Sequence, residues 1–217
     1  MANMKAMLLG SWIGDKLMRD CTIEAITDVG AFRRIKISGL AQKPEPGDKI
    51  QIYVPDLGAR TYSPFGWKAG TFEIVAVNRN PFIAALKPGT RLRFIGPQGS
   101  TKLTDLAGPI ALFGDETSFG VAASLRETRP DARFVFEVGS IEDCAPMIEQ
   151  LGLPAESLRP RGQLAAIADE LHAMAASLVL TGNAQSIQTL RGDLRKLGNT
   201  KPQRVKGYWA EGKRGID

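Results

Sequence analysis

The chain is short of the residues that most catalytic chemistry uses. Its 217 residues include a single histidine, His172, so neither a His-rich zinc site nor a set of histidine general bases can be assembled from it. The two cysteines, Cys21 and Cys144, form no CxxC pair. That argues against a disulfide framework and a Cys-ligated metal, so no metal site is expected and a reducing compartment fits. No apolar run approaches the roughly 18 residues of a membrane span. The start MANMKAMLLGSWIGDKLMRD has a short apolar patch, but Lys16 and Arg19 break it and no long h-region follows, so it reads as mature sequence of a cytoplasmic protein. There is no internal repeat and no low-complexity tract.

What is present is an ordinary globular composition, 43% hydrophobic and 24% charged, enough for one large domain or two small ones. Charge is uneven. Residues 1–107 carry 15 basic and 9 acidic side chains and residues 108–217 carry 13 and 14, while residues 191–217 alone hold 8 basic against 3 acidic. Such gathering of positive charge suits an anionic partner: nucleic acid, a phosphorylated cofactor or an acidic substrate.

Two rhythms divide the chain. Up to about residue 102, the β-branched segments CTIEAITDV, AFRRIKIS, KIQIYV, TFEIVAV and TRLRFIG are separated by turn chemistry such as SGLAQKPEPGD, PDLGA and FGWKAG. Five or six antiparallel strands in a small barrel or sandwich are predicted. From Pro109 onward, strand and helix alternate. PIALFG, RFVFEV, SLVLTG and QRVKGYW read as strands, with TSFGVAASLRET, CAPMIEQLG, QLAAIADELHAM and NAQSIQTLRGDLRKLG as helices between them. That pattern predicts parallel βαβ units. The expected fold is therefore all-β plus α/β: an N-terminal antiparallel barrel over residues 1–107 and a parallel-sheet domain over residues 108–217.

Ligands of open parallel sheets bind at the carboxyl ends of the strands. Here those ends are Phe113-Gly114, Val138-Gly139, Thr181-Gly182 and Tyr208-Trp209. Four motifs carry candidate chemistry. Arg60-Thr61-Tyr62-Ser63 at a barrel strand end puts Arg60 and Tyr62 on one face and Thr61 and Ser63 on the other, offering a phosphate clamp, a flat aromatic and small donors. The segment Gly96-Pro97-Gln98-Gly99-Ser100 follows another barrel strand. Gly114-Asp115-Glu116-Thr117 leads the first α/β strand toward a helix, where backbone N–H groups are free, although two carboxylates there oppose a tight phosphate cradle. Lys206-Gly207-Tyr208-Trp209 closes the last strand.

In this order and spacing, RTYS, GPxG, GDET, TGNAQ and the closing GYWxxG resemble the siderophore-interacting protein family, ferric-siderophore reductases of the ferredoxin-reductase superfamily. The likeness runs over about residues 21–212 and includes Arg33-Arg34-Ile35-Lys36-Ile37. It implies a flavin in the barrel, normally FAD, with NADPH or NADH as electron donor and a ferric siderophore or similar chelate as acceptor. Arg60 would contact flavin phosphate, Tyr62 would pack along the flavin and Ser63 would hydrogen-bond its reactive nitrogen, making Tyr62 and Ser63 the catalytic candidates. Thr61, Gly96, Gly99 and Ser100 would join the flavin site. Gly114, Asp115, Glu116, Thr117, Gly182 and Asn183 would border the nicotinamide, and Tyr208 and Trp209 would close over the far side. Lys206, Lys213 and Arg204 are candidates for drawing in an anionic chelate.

The sequence departs from the family at Asn78-Arg79-Asn80-Pro81-Phe82, where relatives carry an HGxxGPAS-type turn for the FAD pyrophosphate. That leaves FMN or loosely held FAD as an alternative. Since a nicotinamide yields two electrons and Fe(III) takes one, a flavin is the group that joins them, and no general base is required. A monomer acting without membrane or nucleic acid is expected. The alternatives are a flavin NAD(P)H oxidoreductase with a non-iron acceptor and a basic nucleic-acid-binding barrel. The latter would explain an isoelectric point of 9.3, yet the first half shows few aromatics for base stacking.

Overall fold

The computed structural model describes residues 18–54, 58–78 and 81–212. The readings made for the first 17 residues, for Arg79 and Asn80 and for Lys213 lie outside the described residues. In the first half, β1 (Arg19–Val29), β2 (Phe32–Ser38), β3 (Asp48–Val54), β4 (Gly58–Tyr62), β5 (Phe65–Lys68), β6 (Thr71–Val77) and β7 (Arg91–Gly99) are joined by a short helix α1 (Pro81–Ala84) before β7. They form one seven-stranded sheet in the order β4-β3-β7-β1-β2-β6-β5, and its pairings are antiparallel.

Alternation builds its interior. Ile35 and Ile37 of β2, Ile50 and Ile52 of β3, Phe72 and Ile74 of β6 and Phe94 of β7 are all buried in one cluster, capped by Phe82 and Ile83 of α1. A single core fed by strands across most of the sheet means that the sheet curls around it. The prediction fell short at FGWKAG, read as turn chemistry. Phe65 and Lys68 pair with Glu73 and Thr71 of β6, and the turn itself is confined to Ala69 and Gly70, both at positive φ. Trp67 holds the short strand down by donating from Nε1 to the carbonyl of Leu40 at 2.9 Å.

The second half contains β8 (Ile110–Gly114), a 3-10 turn (Glu116–Ser118), α2 (Phe119–Thr128), β9 (Arg133–Val138), α3 (Ile141–Gln150), β10 (Leu158–Pro160), α4 (Leu164–Ala173), β11 (Ser177–Asn183), α5 (Ala184–Lys196) and β12 (Gln203–Trp209). The five strands run in the order β10-β9-β8-β11-β12, all parallel. Strand β10, three residues at the edge, is one strand more than the sequence pattern showed. Helix α3 starts three residues before CAPMIEQLG because Ser140 caps it, its hydroxyl accepting from Asp143 N at 3.1 Å.

The three central strands β9, β8 and β11 are apolar without visible alternation because both faces are covered. Leu112, Phe134, Phe136 and Val179 pack beneath α2 and α3, while Ala111, Phe113, Val135, Leu178 and Leu180 pack on α4 and α5. Val29 and Phe32, from the β1–β2 hairpin, belong to the first of these cores, together with Leu103 and Leu106 from the connection. Phe32 meets the Phe119 ring at 5.3 Å between centroids. The two sheets are therefore fastened by an apolar plug, which positions the mouth between them.

Candidate functional site

At that mouth lies a cavity of about 340 Å³, within the range of small-molecule sites. It is lined from both sheets. Arg60, Thr61, Tyr62 and Ser63 come from β4 and the residue after it, Glu116 and Thr117 from the turn after β8, and Lys206, Tyr208 and Trp209 from β12. Three motifs separated by more than fifty residues in the chain thus share one wall system. Lys49 and Ser100 also line it. Lys49 went unnoticed in the sequence because its placement depends on register: Ile50 pairs with Tyr62 across β3 and β4, which brings Lys49 opposite Ser63.

The Arg60 guanidinium is exposed and stands 5.9 Å from the Phe82 ring centroid, so the short α1 packs behind it. Burial pushes the Tyr62 phenol above its ordinary range, against the pull of the nearby Arg60 charge. It stays a neutral aromatic wall with a hydroxyl donor. Gly120, at the start of α2, lets the β4 motif come close, since a Cβ there would stand 2.8 Å from the Ser63 carbonyl oxygen.

Other candidates lie outside this lining. Gly96 sits at φ +130, and a Cβ would meet the Lys49 carbonyl oxygen at 2.8 Å, so it serves close backbone passage between β7 and β3. Gly99 pairs with Asp48 in the same ladder. Gly114 packs on the Ser118 side chain. Arg204 shares a strand face with Lys206 but is two residues further from the mouth.

Asp115, Gly182 and Asn183 form a different structure. The Asp115 carboxylate is 3% exposed. Its Oδ1 accepts from Thr117 N at 2.9 Å and from the Thr117 hydroxyl. Its Oδ2 accepts from Asn183 N at 2.7 Å and from Trp209 Nε1 at 2.7 Å. Burial raises its pKa above the ordinary carboxylate value, while hydrogen bonds from Thr117 and Trp209 pull it back down. Gly182 makes the seat possible: at φ +101, a Cβ would stand 2.5 Å from Asp115 Oδ2. Asn183 then caps α5, accepting from Ser186 N at 2.8 Å.

A second cavity of about 480 Å³ adjoins the first. It is lined by Gly139 and Ser140 after β9, Cys144 of α3 and Arg161 after β10, and it shares Val77, Glu116, Thr117 and Trp209 with the first cavity. Arg161 Nη2 bonds to Glu116 Oε2 at 3.1 Å, and Glu116 Oε1 also accepts from Gly139 N at 2.6 Å. Nothing in the sequence marked Arg161, because it follows a strand too short to show a pattern. Among the described residues, no group of three or more His, Cys, Asp or Glu side chains could hold a metal ion, and no helix is long and apolar enough to cross a membrane.

No protein-family model matches the sequence, and comparison with curated proteins gives no match. Solved structures do match. The siderophore-interacting protein SipS from Aeromonas hydrophila aligns with a TM-score of 0.68 at 22% identity, over 91% of this chain and 93% of that one. Phthalate dioxygenase reductase, described as a modular structure for electron transfer from pyridine nucleotides to a 2Fe-2S centre, gives 0.72 at 12% identity, over 92% and 71%. Full-length CYP116B46 from Tepidiphilus thermophilus gives 0.69 at 18% identity, and this chain, 89% covered, spans 29% of it. At such identities the likeness is one of fold. The chain has the ferredoxin-reductase-like arrangement of an antiparallel barrel-type sheet beside a parallel sheet flanked by helices, and siderophore-interacting proteins share it.

Proposed function

We propose that the protein is a flavin-dependent reductase that takes electrons from NADPH or NADH and delivers them to Fe(III) in a siderophore or similar chelate. The observation that carries this reading is the shared cavity in which the β4 motif faces the aromatic end of β12 across the mouth of the two sheets. The lining fits a flavin: Tyr62, Tyr208 and Trp209 offer flat surfaces, Thr61, Ser63 and Ser100 offer hydroxyls, and Lys49, Arg60 and Lys206 offer positive charge for phosphate. Bound there, a flavin supplies two-electron acceptance from a reduced nicotinamide and one-electron delivery to iron.

The chain's own residues orient and enclose. In this assignment Arg60 grips phosphate, Tyr62 and Ser63 fix the ring, and Glu116 and Thr117 border the second cavity, where the pyridine nucleotide enters. Lys206, with Arg204 and Lys213, draws in the anionic chelate. The division at residues 107/108 separates flavin unit from nucleotide unit. FAD is the first choice and FMN the alternative, given the short connection before α1. The acceptor rests on the likeness to siderophore-interacting proteins; an acceptor other than a ferric chelate is the second reading, favoured by the reductase of the same fold that passes electrons to a 2Fe-2S centre.

Purified protein is expected to be yellow, to bleach anaerobically with one of the two nucleotides and to regain colour on adding a ferric chelate. Arg60→Ala should weaken flavin retention by about 1.5–3 kcal/mol, the usual value of a charge-assisted contact, measured by fluorescence titration. Retention equal to wild type would move the phosphate elsewhere.

A further inference from the structure

Alternation along β2 puts Arg33, Ile35 and Ile37 on one face of the strand. Ile35 and Ile37 are buried in the barrel core, so Arg33 is a cation at an inward-facing position, its side chain 18% exposed. Its cross-strand neighbour Ala76 of β6 lines the first cavity, whereas Arg33 is absent from that lining. A charge placed where the pattern calls for an apolar side chain needs partners, and they come from two directions.

Nε donates to Asp28 at 2.8 Å, directly across the β1–β2 ladder. Nη1 donates to the carbonyl oxygens of Ile83 at 2.9 Å and Leu86 at 3.3 Å, 50 and 53 positions later in the chain. These carbonyls lie within α1 and just beyond its end. A four-residue helix is a single turn and is not stable by itself. Its backbone closes with Ala85 N on the Pro81 carbonyl at 3.2 Å, and Arg33 adds a charged tie from its last carbonyls to the sheet.

Helix α1 reaches the cavity through two residues. Ile83 lines it, and the ring of Phe82, 1% exposed, stands 5.9 Å from the Arg60 guanidinium. Arg60 Nη1 donates to the neighbouring Ala59 carbonyl at 2.8 Å, so the exposed head is oriented by its own strand and by the Phe82 ring. Tyr62 and Ser63 are placed by other elements: Tyr62 pairs with Ile50 of β3, and Ser63 backs onto Gly120 of α2.

We propose that Arg33 is a positioning residue for the phosphate half of the flavin: by clamping the carbonyls of α1 it seats Phe82, and Phe82 sets the guanidinium of Arg60. The inference rests on the assignment of Arg60 to flavin phosphate. Arg33 acts through Arg60 and leaves the ring half of the site to Tyr62 and Ser63. Loosening α1 forfeits the support of an exposed cation–π contact, which corresponds to about a fivefold change in affinity.

The test is a double-mutant cycle on the full chain, read as the dissociation constant, by fluorescence titration, of whichever of FAD or FMN wild type holds more tightly. Arg33→Ala should weaken binding about fivefold in wild type and less than twofold in the Arg60→Ala background, because the group it positions is then gone. A purely structural loss would weaken binding equally in both backgrounds, and that result overturns the proposal, as does unchanged binding in Arg33→Ala. Riboflavin, which has the ring without the phosphate, should bind Arg33→Ala as it binds wild type; an equal fall for riboflavin overturns the proposal, and if riboflavin does not bind, the cycle decides alone. Arg33→Lys keeps the charge but loses the fork that spans Asp28 and the two carbonyls. It serves in the same cycle should Arg33→Ala not fold, with a smaller fall expected. Wild type that binds no flavin overturns the proposed function and this inference with it, whereas wild type that binds flavin with additive variants overturns this inference alone.

Discussion

The ends of β8 and β9 lie side by side, and each has a carboxylate that is 3% exposed, Asp115 and Glu137. They do different work. Glu137 joins the turn after β10 to the first turn of α5, accepting from Gly162 N at 3.0 Å and from the Ser186 hydroxyl at 2.8 Å. Asp115 ties three strand ends together and reaches the mouth of the cavity through Trp209. The chemical difference lies in the donors. Glu137 Oε2 accepts only from a hydroxyl, which can reverse its hydrogen bond, whereas each Asp115 oxygen accepts from at least one backbone or indole N–H, which cannot. Equal burial therefore does not mean equal tolerance of change.

The glycines beneath the two carboxylates should break that symmetry most sharply. Gly182→Ala forces a Cβ to 2.5 Å from Asp115 Oδ2 at φ +101 and is expected to cost about 3 kcal/mol or more, combining backbone strain with a disturbed buried charge. Gly162 also has positive φ, +95, but nothing lies within 4 Å of its Cβ position. Its alanine variant should cost about 1–2 kcal/mol. Urea midpoints of the two variants compare them directly, and equal losses would mean that Asp115 shifts freely.

Glu137→Gln sharpens the comparison at smaller magnitude. The amide oxygen can still accept from Gly162 N, while its NH₂ donates to a reversed Ser186 hydroxyl. The loss should stay below about 1 kcal/mol, whereas Glu137→Ala, which takes the acceptor from both part-buried hydrogen bonds, should lose about 1–2 kcal/mol. A glutamine variant as damaged as the alanine one would show that charge rather than hydrogen bonding matters at this strand end.

The smallest effect at neutral pH concerns the thiols. Burial pushes Cys21 and Cys144 each up to about 12 from an ordinary 9.0, with Asp20 adding to the rise at Cys21, and Glu116 and Asp143 at Cys144. The folded state then holds protons that the unfolded chain releases. The stability from these thiols is complete below about pH 9 and declines as pH rises toward 12. Near neutrality a thiol reagent should label neither thiol in native protein. In alkaline denaturation Cys21→Ala/Cys144→Ala should lose stability less steeply than wild type, and parallel curves would rule the thiols out as the cause.

Much of this architecture was legible in the chain. Period-two segments such as FRRIKIS place Ile35 and Ile37 inside, and the change at Pro109 from strand-and-turn to strand-and-helix rhythm marks the parallel sheet. The strands Phe65–Lys68 and Leu158–Pro160 escaped because four or three residues are too few to show a period. The RTYS, GDET and GYW motifs stood out as residue types, but their meeting in one cavity depends on how the β1–β2 hairpin plugs the second core. Phe32, which alternates outward from the first sheet, looks in the sequence like a misplaced apolar residue.

Local composition by itself determined the two sheets, their sense and most of their helices, because periodicity, capping and turn chemistry act over a few residues. It also supplied the basic and aromatic groups that a cofactor with a phosphate and a flat ring requires. Tertiary structure alone decided which carboxylate lines a cavity and which is consumed inside. Asp115 and Glu116 are neighbours in the chain with identical charge, yet the first is buried under Trp209 and the second lines both cavities. That distinction arises from strands brought together over long separations in sequence, where a donor 94 residues away sets the role of a side chain.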